Sequence, residues 1–137
     1  MNESKLDVKK RAVIEIAENL FLSQGLATTE MKEIARCASI SRSTLYRMFD
    51  SRETLAFAVA DKCLHELFAP KPMEIYGTDR SGFEILRSYS SNLIETMIQG
   101  VRYVKYLSEF DQMFSGDYPD TPEARKYVQF NRQRHDR

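Results

Sequence analysis

Residues 31–49 read MKEIARCASISRSTLYRMF, and this stretch decides which fold the chain can adopt. Its apolar residues follow a helical period on either side of a short polar turn over residues 38–41. Ala35 is small at the position where two helices would cross closely. Ser41 can cap the second helix, which would run through Met48. The spacing therefore predicts a helix-turn-helix.

The second helix of this pair presents polar side chains away from its apolar face. Each of them can hydrogen-bond a base edge or a phosphate. They are Arg42, Ser43, Thr44, Tyr46 and Arg47. Two interpretations remain open from the pattern alone, because a DNA-reading helix and an ordinary three-helix bundle with a polar face share this distribution.

Helical periodicity continues on both sides of the helix-turn-helix. A first helix is predicted over residues 7–23, and Thr28 or Thr29 would cap the next one. Asp50 or Ser51 would cap a fourth helix, which has apolar residues on two sides. We expect that fourth helix to lie between the N-terminal three helices and whatever follows it.

The C-terminal half is predicted to be helical as well. Proline and glycine make residues 69–82 a linker, and Gly100 is expected to separate a fifth helix from a sixth. Residues 115–119 should break the sixth helix. Thr121 then caps a last helix, with proline at its first position. Strand signals are nearly absent, so the chain is predicted to be all-α.

The composition excludes several classes of protein. A hydrophobic fraction of 42% is sufficient for a packed core, and a formal net charge of 0 excludes a uniformly basic surface. Cys37 and Cys63 are interpreted as reduced thiols, because no paired spacing or histidine cluster accompanies them. No apolar run approaches the length of a membrane span, and the charged N-terminus has no signal-peptide core. We therefore predict a cytoplasmic protein without membrane contact.

Catalytic and metal-binding patterns were not found. His65 and His135 have no partner at catalytic spacing, and no phosphate-binding glycine loop is present. Asp111, Asp117 and Asp120 are interpreted as a solvated acidic loop rather than a calcium site. The sequence therefore predicts no enzymatic activity, no metal and no cofactor.

Three segments carry a family resemblance. Gly25, Lys32–Ala35 and Ser41–Leu55 closely resemble the TetR/AcrR family of transcription regulators. The resemblance covers roughly residues 9–68, about half of the chain. It implies that residues 1–50 form a helix-turn-helix DNA-binding domain. It also implies that residues 51–137 contain a connecting helix and a helical regulatory domain.

The resemblance further implies roles for individual side chains. Arg42 and Arg47 would read bases or contact the edge of the groove, and Thr44 and Tyr46 would contact phosphates. By the same resemblance, Ser43 lies at the tip that faces DNA. Arg52 would contact a phosphate at the start of the fourth helix, and Lys32 would make a further DNA contact.

Two positions depart from the family pattern. Ser39 replaces the usual turn glycine, so it would have to tolerate an unfavourable backbone angle. Glu30 stands where a capping threonine is common, and Thr29 could take over that role.

An aromatic and methionine stripe runs through the C-terminal half. Its residues could be ordinary core, or they could line the effector pocket that the family implies. The candidate pocket residues are Phe68, Phe83, Met97, Tyr103, Tyr106, Phe110 and Met113.

The functional prediction is a ligand-responsive transcription repressor. It would bind a palindromic duplex operator and an unidentified small-molecule effector, and it would act as a homodimer when intact. The alternative is a family relative that binds a small molecule or a protein without controlling a promoter. Because regulators of this family are usually longer, the C-terminal domain is expected to be truncated. The 137 residues themselves are then expected to associate weakly.

Overall fold

The computed structural model describes residues 4–68, 81–114 and 117–135, which form six helices and contain no strand. The all-α prediction is therefore confirmed. Most of the predicted linker, residues 69–80, lies outside the described ranges. Residues 115–116 of the predicted break also lie outside them. The helices are α1 Lys5–Gln24, α2 Met31–Cys37, α3 Arg42–Met48, α4 Arg52–Phe68, α5 Gly82–Phe114 and α6 Pro122–His135.

Serine and threonine caps begin most of these helices. The Ser41 hydroxyl accepts the Thr44 backbone N–H at 3.1 Å, which confirms the predicted start of α3. Of the two alternatives for α4, Ser51 is the cap, because its hydroxyl accepts the Thr54 N–H at 3.1 Å. Thr121 caps α6 as predicted. Each such bond satisfies a donor that the first helical turn leaves unpaired.

The cap predicted for α2 is wrong. The helix begins after Glu30, whose side chain makes no capping hydrogen bond. The Thr28 hydroxyl donates instead to the Gln24 carbonyl at 2.6 Å, and the Thr29 hydroxyl to the Gly25 carbonyl at 2.8 Å. Both threonines therefore satisfy carbonyls at the end of α1, where the last turn of a helix leaves acceptors unpaired.

The predicted division between a fifth and a sixth helix is also wrong. Residues 82–114 form one continuous helix that passes through Gly100. A single glycine costs a helix about 1 kcal/mol but does not end it when good helix formers continue on both sides. A Cβ at Gly100 would lie 3.6 Å from Leu67 Cδ1, so α4 and α5 approach each other at this point.

Helix α4 forms the centre of the core. It packs against α1 and against α5 and α6, which confirms the predicted sandwich. Phe57 lies in a cluster of rings, 4.7 Å from Phe110 and 4.6 Å from Phe114 between ring centres. The buried Tyr106 hydroxyl donates to the Ala56 carbonyl at 2.8 Å and ties α5 to α4. The core thus joins the N-terminal helices to the C-terminal ones.

The first part of α5 is packed differently. Its large apolar side chains are exposed over about five turns, although they repeat at helical spacing. They include Phe83, Ile85, Leu86, Tyr89, Leu93, Ile94, Met97, Ile98 and Val101. The core contacts of α5 lie in its C-terminal part, at Tyr106, Leu107 and Phe110.

Candidate nucleic-acid interface

Helix α3 is held by one deeply buried side chain. Leu45 has no exposed surface, and Phe49, directly after the helix, is also buried. The turn before the helix is closed by a hydrogen bond from the Ile40 N–H to the Ala35 carbonyl at 3.1 Å. Ser39 has a φ of 54°, which confirms that it adopts the left-handed conformation expected for this position. This tight turn fixes the direction in which α3 leaves α2.

The opposite face of α3 lies in solvent. Arg42, Ser43, Tyr46 and Arg47 are exposed, and Thr44 is half-buried. The Thr44 hydroxyl lies 2.8 Å from the Ser41 hydroxyl, so it shares hydrogen bonding with the cap. Four of the five outward side chains predicted from sequence are thus accessible together on one short helix.

The other two predicted contacts have partners within the protein. Lys32 Nζ lies 3.0 Å from Glu30 Oε2, and both side chains are well exposed. The Arg52 guanidinium donates to the Ala27 and Thr29 carbonyls at 3.4 and 3.5 Å, with 30% of its side chain exposed. Arg52 therefore bridges the start of α4 to the α1–α2 connection.

Further polar contacts join the N-terminal helices to the rest of the molecule. The Leu26 N–H donates to Glu109 Oε2 at 3.5 Å, which connects α5 to the same α1–α2 connection. The buried Glu18 carboxylate pairs with Lys62 and connects α1 to α4. This pairing raises the pKa of Lys62, although the partial burial of the ammonium works in the opposite direction. Polar contacts thus connect α4 to α1, and α5 to the α1–α2 connection.

Comparison with known proteins agrees with this geometry. The model of the bacterial regulatory proteins, tetR family, matches residues 13–59, which include α2, α3 and the start of α4. Residues 13–59 of the chain are therefore similar to the TetR family of regulatory proteins. An uncharacterized HTH-type transcriptional regulator of Mycobacterium tuberculosis is 50% identical over 46 residues, which are 34% of this chain and 23% of that protein.

Two further similar regulators extend the comparison. The HTH-type transcriptional repressor KstR2 of Rhodococcus jostii is 33% identical over 60 residues, 44% of this chain and 29% of that protein. The solved structure of the flavonoid-responsive regulator FrrA is 28% identical with a TM-score of 0.53, and the match covers 89% of this chain and 59% of that one. The chain thus spans less than two thirds of each of these relatives.

The predicted effector-pocket residues are divided between core and surface. Tyr106 and Phe110 are fully packed in the core, and Tyr103 is half-buried. Phe83 is 74% exposed and Met97 62% exposed on the first part of α5. Phe68 and Met113 are also exposed.

An open groove of about 830 Å³ lies between α4, α5 and α6, and we call it the α4–α6 groove. Of the predicted pocket residues, only Phe68 lines it. Asp111 lies in this groove, where it accepts hydrogen bonds from the Tyr118 and Tyr127 hydroxyls at 3.0 and 2.9 Å. Asp111 lies on α5 and not in the acidic loop that the sequence had suggested, and its side chain is exposed as expected. The sequence signal that could have indicated this placement was its position next to Phe110, inside the aromatic stripe.

Two further observations concern metal binding and membrane insertion. Among residues 4–68, 81–114 and 117–135, no group of three or more His, Cys, Asp or Glu side chains is arranged to hold a metal ion. None of the helices in these ranges is long and apolar enough to cross a lipid bilayer.

Proposed function

We propose that the protein is a sequence-specific, DNA-binding transcription repressor that acts as a homodimer on a palindromic duplex in the cytoplasm. The observation that carries the proposal is the anchoring of α3, whose inner residue Leu45 is fully buried while Arg42, Tyr46 and Arg47 lie in solvent. A short helix that is fixed on one face and polar on the other can enter a major groove without rearrangement of the core.

Each outward side chain is assigned a role by its chemistry. Arg42 and Arg47 would read base edges, since a guanidinium can donate two parallel hydrogen bonds to guanine. Thr44 and Tyr46 would contact phosphates, and Ser43, near the start of α3, would face the duplex. Phosphate contacts set position on the duplex, whereas base contacts set sequence preference.

Lys32 and Arg52 are proposed as phosphate contacts that exchange partners on binding. The exposed pair between Lys32 and Glu30 is worth little in water, so a phosphate can replace the carboxylate. The contacts of Arg52 with two neutral carbonyls are long, and a phosphate would give a charge-assisted bond near the first turn of α4.

The proposed regulatory part begins at residue 51 and the DNA-binding part ends at residue 50. An effector held among α4, α5 and α6 would displace α4, whose Phe57 lies in the shared ring cluster. That displacement would change the spacing of the two recognition helices, which must lie about 34 Å apart on a two-fold operator. The effector acts only through its preference for one arrangement. The names of KstR2, a repressor, and FrrA, a flavonoid-responsive regulator, support this proposal.

Selection of duplexes from a random pool, followed by binding measurements on the enriched sequence, tests the proposal. Arg42→Ala should cost roughly 1–3 kcal/mol at one base pair in each half-site and relax discrimination there. Arg52→Ala should instead weaken all duplexes alike and reduce the salt dependence. Arg125→Ala is the matched control, because Arg125 lies on α6 and pairs with Asp120. Failure to enrich any sequence, or an equal loss in the Arg125 variant, would contradict the proposal.

A further inference from the structure

The α4–α6 groove has an apolar floor and two oppositely charged side chains. Leu64 of α4, Leu107 of α5 and Val128 of α6 supply much of the floor. Asp111 is the one carboxylate and Arg132 the one cation among the described residues that line the groove. Its volume of about 830 Å³ lies within the roughly 300–1,000 Å³ that is usual for small-molecule sites.

Asp111 is held in place by two hydroxyl groups. Both the Tyr118 and the Tyr127 hydroxyl donate to its Oδ1 atom, so both bonds fall on the same carboxylate oxygen. Burial raises the pKa of Tyr127, and the Asp111 carboxylate raises it further, so this phenol remains a neutral donor at ordinary pH. The two hydroxyl groups thus fix the orientation of an exposed carboxylate, including its second oxygen Oδ2.

Arg132 is placed differently. It lies five residues beyond Tyr127 on α6, which corresponds to about 7.5 Å along the helix axis. Its side chain is exposed. Fixing the arginine on a ligand costs rotamer freedom, whereas the Asp111 carboxylate, which is also exposed, is already oriented by two tyrosine hydroxyls. The acidic end of the groove is therefore the better preorganised of the two.

We propose that the α4–α6 groove binds an amphipathic small molecule whose cationic, hydrogen-bond-donating head contacts Asp111 and whose apolar body lies along Leu64, Leu107 and Val128. This inference gives a chemical class to the effector and so rests on the effector part of the proposed function. The head would take the second carboxylate oxygen as its acceptor. The apolar floor would contribute affinity through the area that the ligand removes from water.

Calorimetric titration of the full chain with decylammonium, decanol and decanoate, below their micelle concentrations, tests the proposal. The three probes share a ten-carbon chain and differ in the head. Decylammonium should bind roughly three- to ten-fold more tightly than decanol, since the carboxylate is partly screened by water. Decanoate should bind most weakly. Added salt should weaken binding of decylammonium and leave decanol unchanged.

Two variants locate the preference. Asp111→Asn keeps an amide oxygen for the tyrosine hydroxyls but removes the charge, so the preference for decylammonium should disappear. Asp117→Asn makes the same chemical change outside the lining of this groove and should leave the preference intact.

Several results would overturn the inference. Absence of binding, tighter binding of decanoate, or an unchanged preference in Asp111→Asn would each do so. The salt dependence of the unmodified chain decides the matter if Asp111→Asn does not fold. Because these titrations contain no DNA, their failure leaves duplex binding by α3 untouched. Loss of duplex binding with the probe preference intact would instead refute the proposed function.

Discussion

The helix-turn-helix and the first part of α5 both repeat apolar residues at helical spacing, yet they use them differently. Leu45 of α3 is fully buried, whereas Phe83 of α5 is 74% exposed. Helix α3 is only seven residues long and could not persist without this packing. Helix α5 is 33 residues long, and its C-terminal part alone is anchored in the core. The spacing of apolar residues thus predicts which of them share a face, but not what that face contacts.

The largest expected contrast between packed and exposed apolar residues comes from the same substitution at a phenylalanine of α4 and at one of α5. Phe57→Ala empties a fully buried position in the ring cluster and should lower the free energy of unfolding by about 3–5 kcal/mol. Phe83→Ala removes an exposed ring and should change it by no more than about 0.5 kcal/mol. Urea unfolding of both variants measures the contrast. A large cost at Phe83 would mean that the first part of α5 is covered in solution.

Alkaline pH provides a second contrast, between buried and exposed thiols. Burial raises the pKa of Cys63 from 9.0 to about 12, whereas Cys37 is exposed. The unfolded chain therefore loses this proton before the folded chain does. The stabilisation by Cys63 is complete below pH 9 and is lost as the pH rises towards 12.

Between pH 7 and pH 10 the loss from Cys63 should be about 1.4 kcal/mol. Its signature is the difference between the pH slopes of the unmodified chain and Cys63→Ala, measured by urea unfolding. Cys37→Ala should keep the slope of the unmodified chain. Equal slopes in all three proteins would show that Cys63 is not buried.

The smallest expected effects have opposite signs at two serines. Ser39 adopts a φ of 54°, so Ser39→Gly should relieve strain and stabilise the fold by about 0.5–1 kcal/mol. Ser90 lies within the exposed part of α5, where Ser90→Gly should destabilise the fold by about 0.5 kcal/mol. Thermal unfolding of both variants gives the signs. Destabilisation by Ser39→Gly would contradict the left-handed turn.

The N-terminal half was predictable from sequence because its signals are local. Ser41 capping, the tight turn and the strained Ser39 follow from residue types within a few positions of one another. The errors arose where two local signals compete for the same segment. Thr28 and Thr29 each have a carbonyl of the preceding helix within reach, and α5 runs through Gly100 because its neighbours favour helix.

For the candidate sites, the difference between local signals and contacts that are distant in the chain decides what could be predicted. The outward residues of α3 could be identified from spacing and resemblance, since a short helix with one buried face leaves only the other for a partner. Asp111 could not be placed in this way, because its two tyrosine partners lie 7 and 16 residues further along the chain. Arg52 was assigned to phosphate by resemblance, and its contacts with Ala27 and Thr29 depend on how α4 packs against the α1–α2 connection.

The most direct test of the central claim is an amide NMR titration of the isotope-labelled chain with its selected duplex. The account predicts that the largest shift changes fall on residues 41–48, with smaller ones near Lys32 and Arg52. Residues 82–104 of α5 should remain unchanged at the same duplex concentrations. Changes concentrated on α5 or α6, with α3 unaffected, would contradict the claim that α3 is the DNA-reading helix.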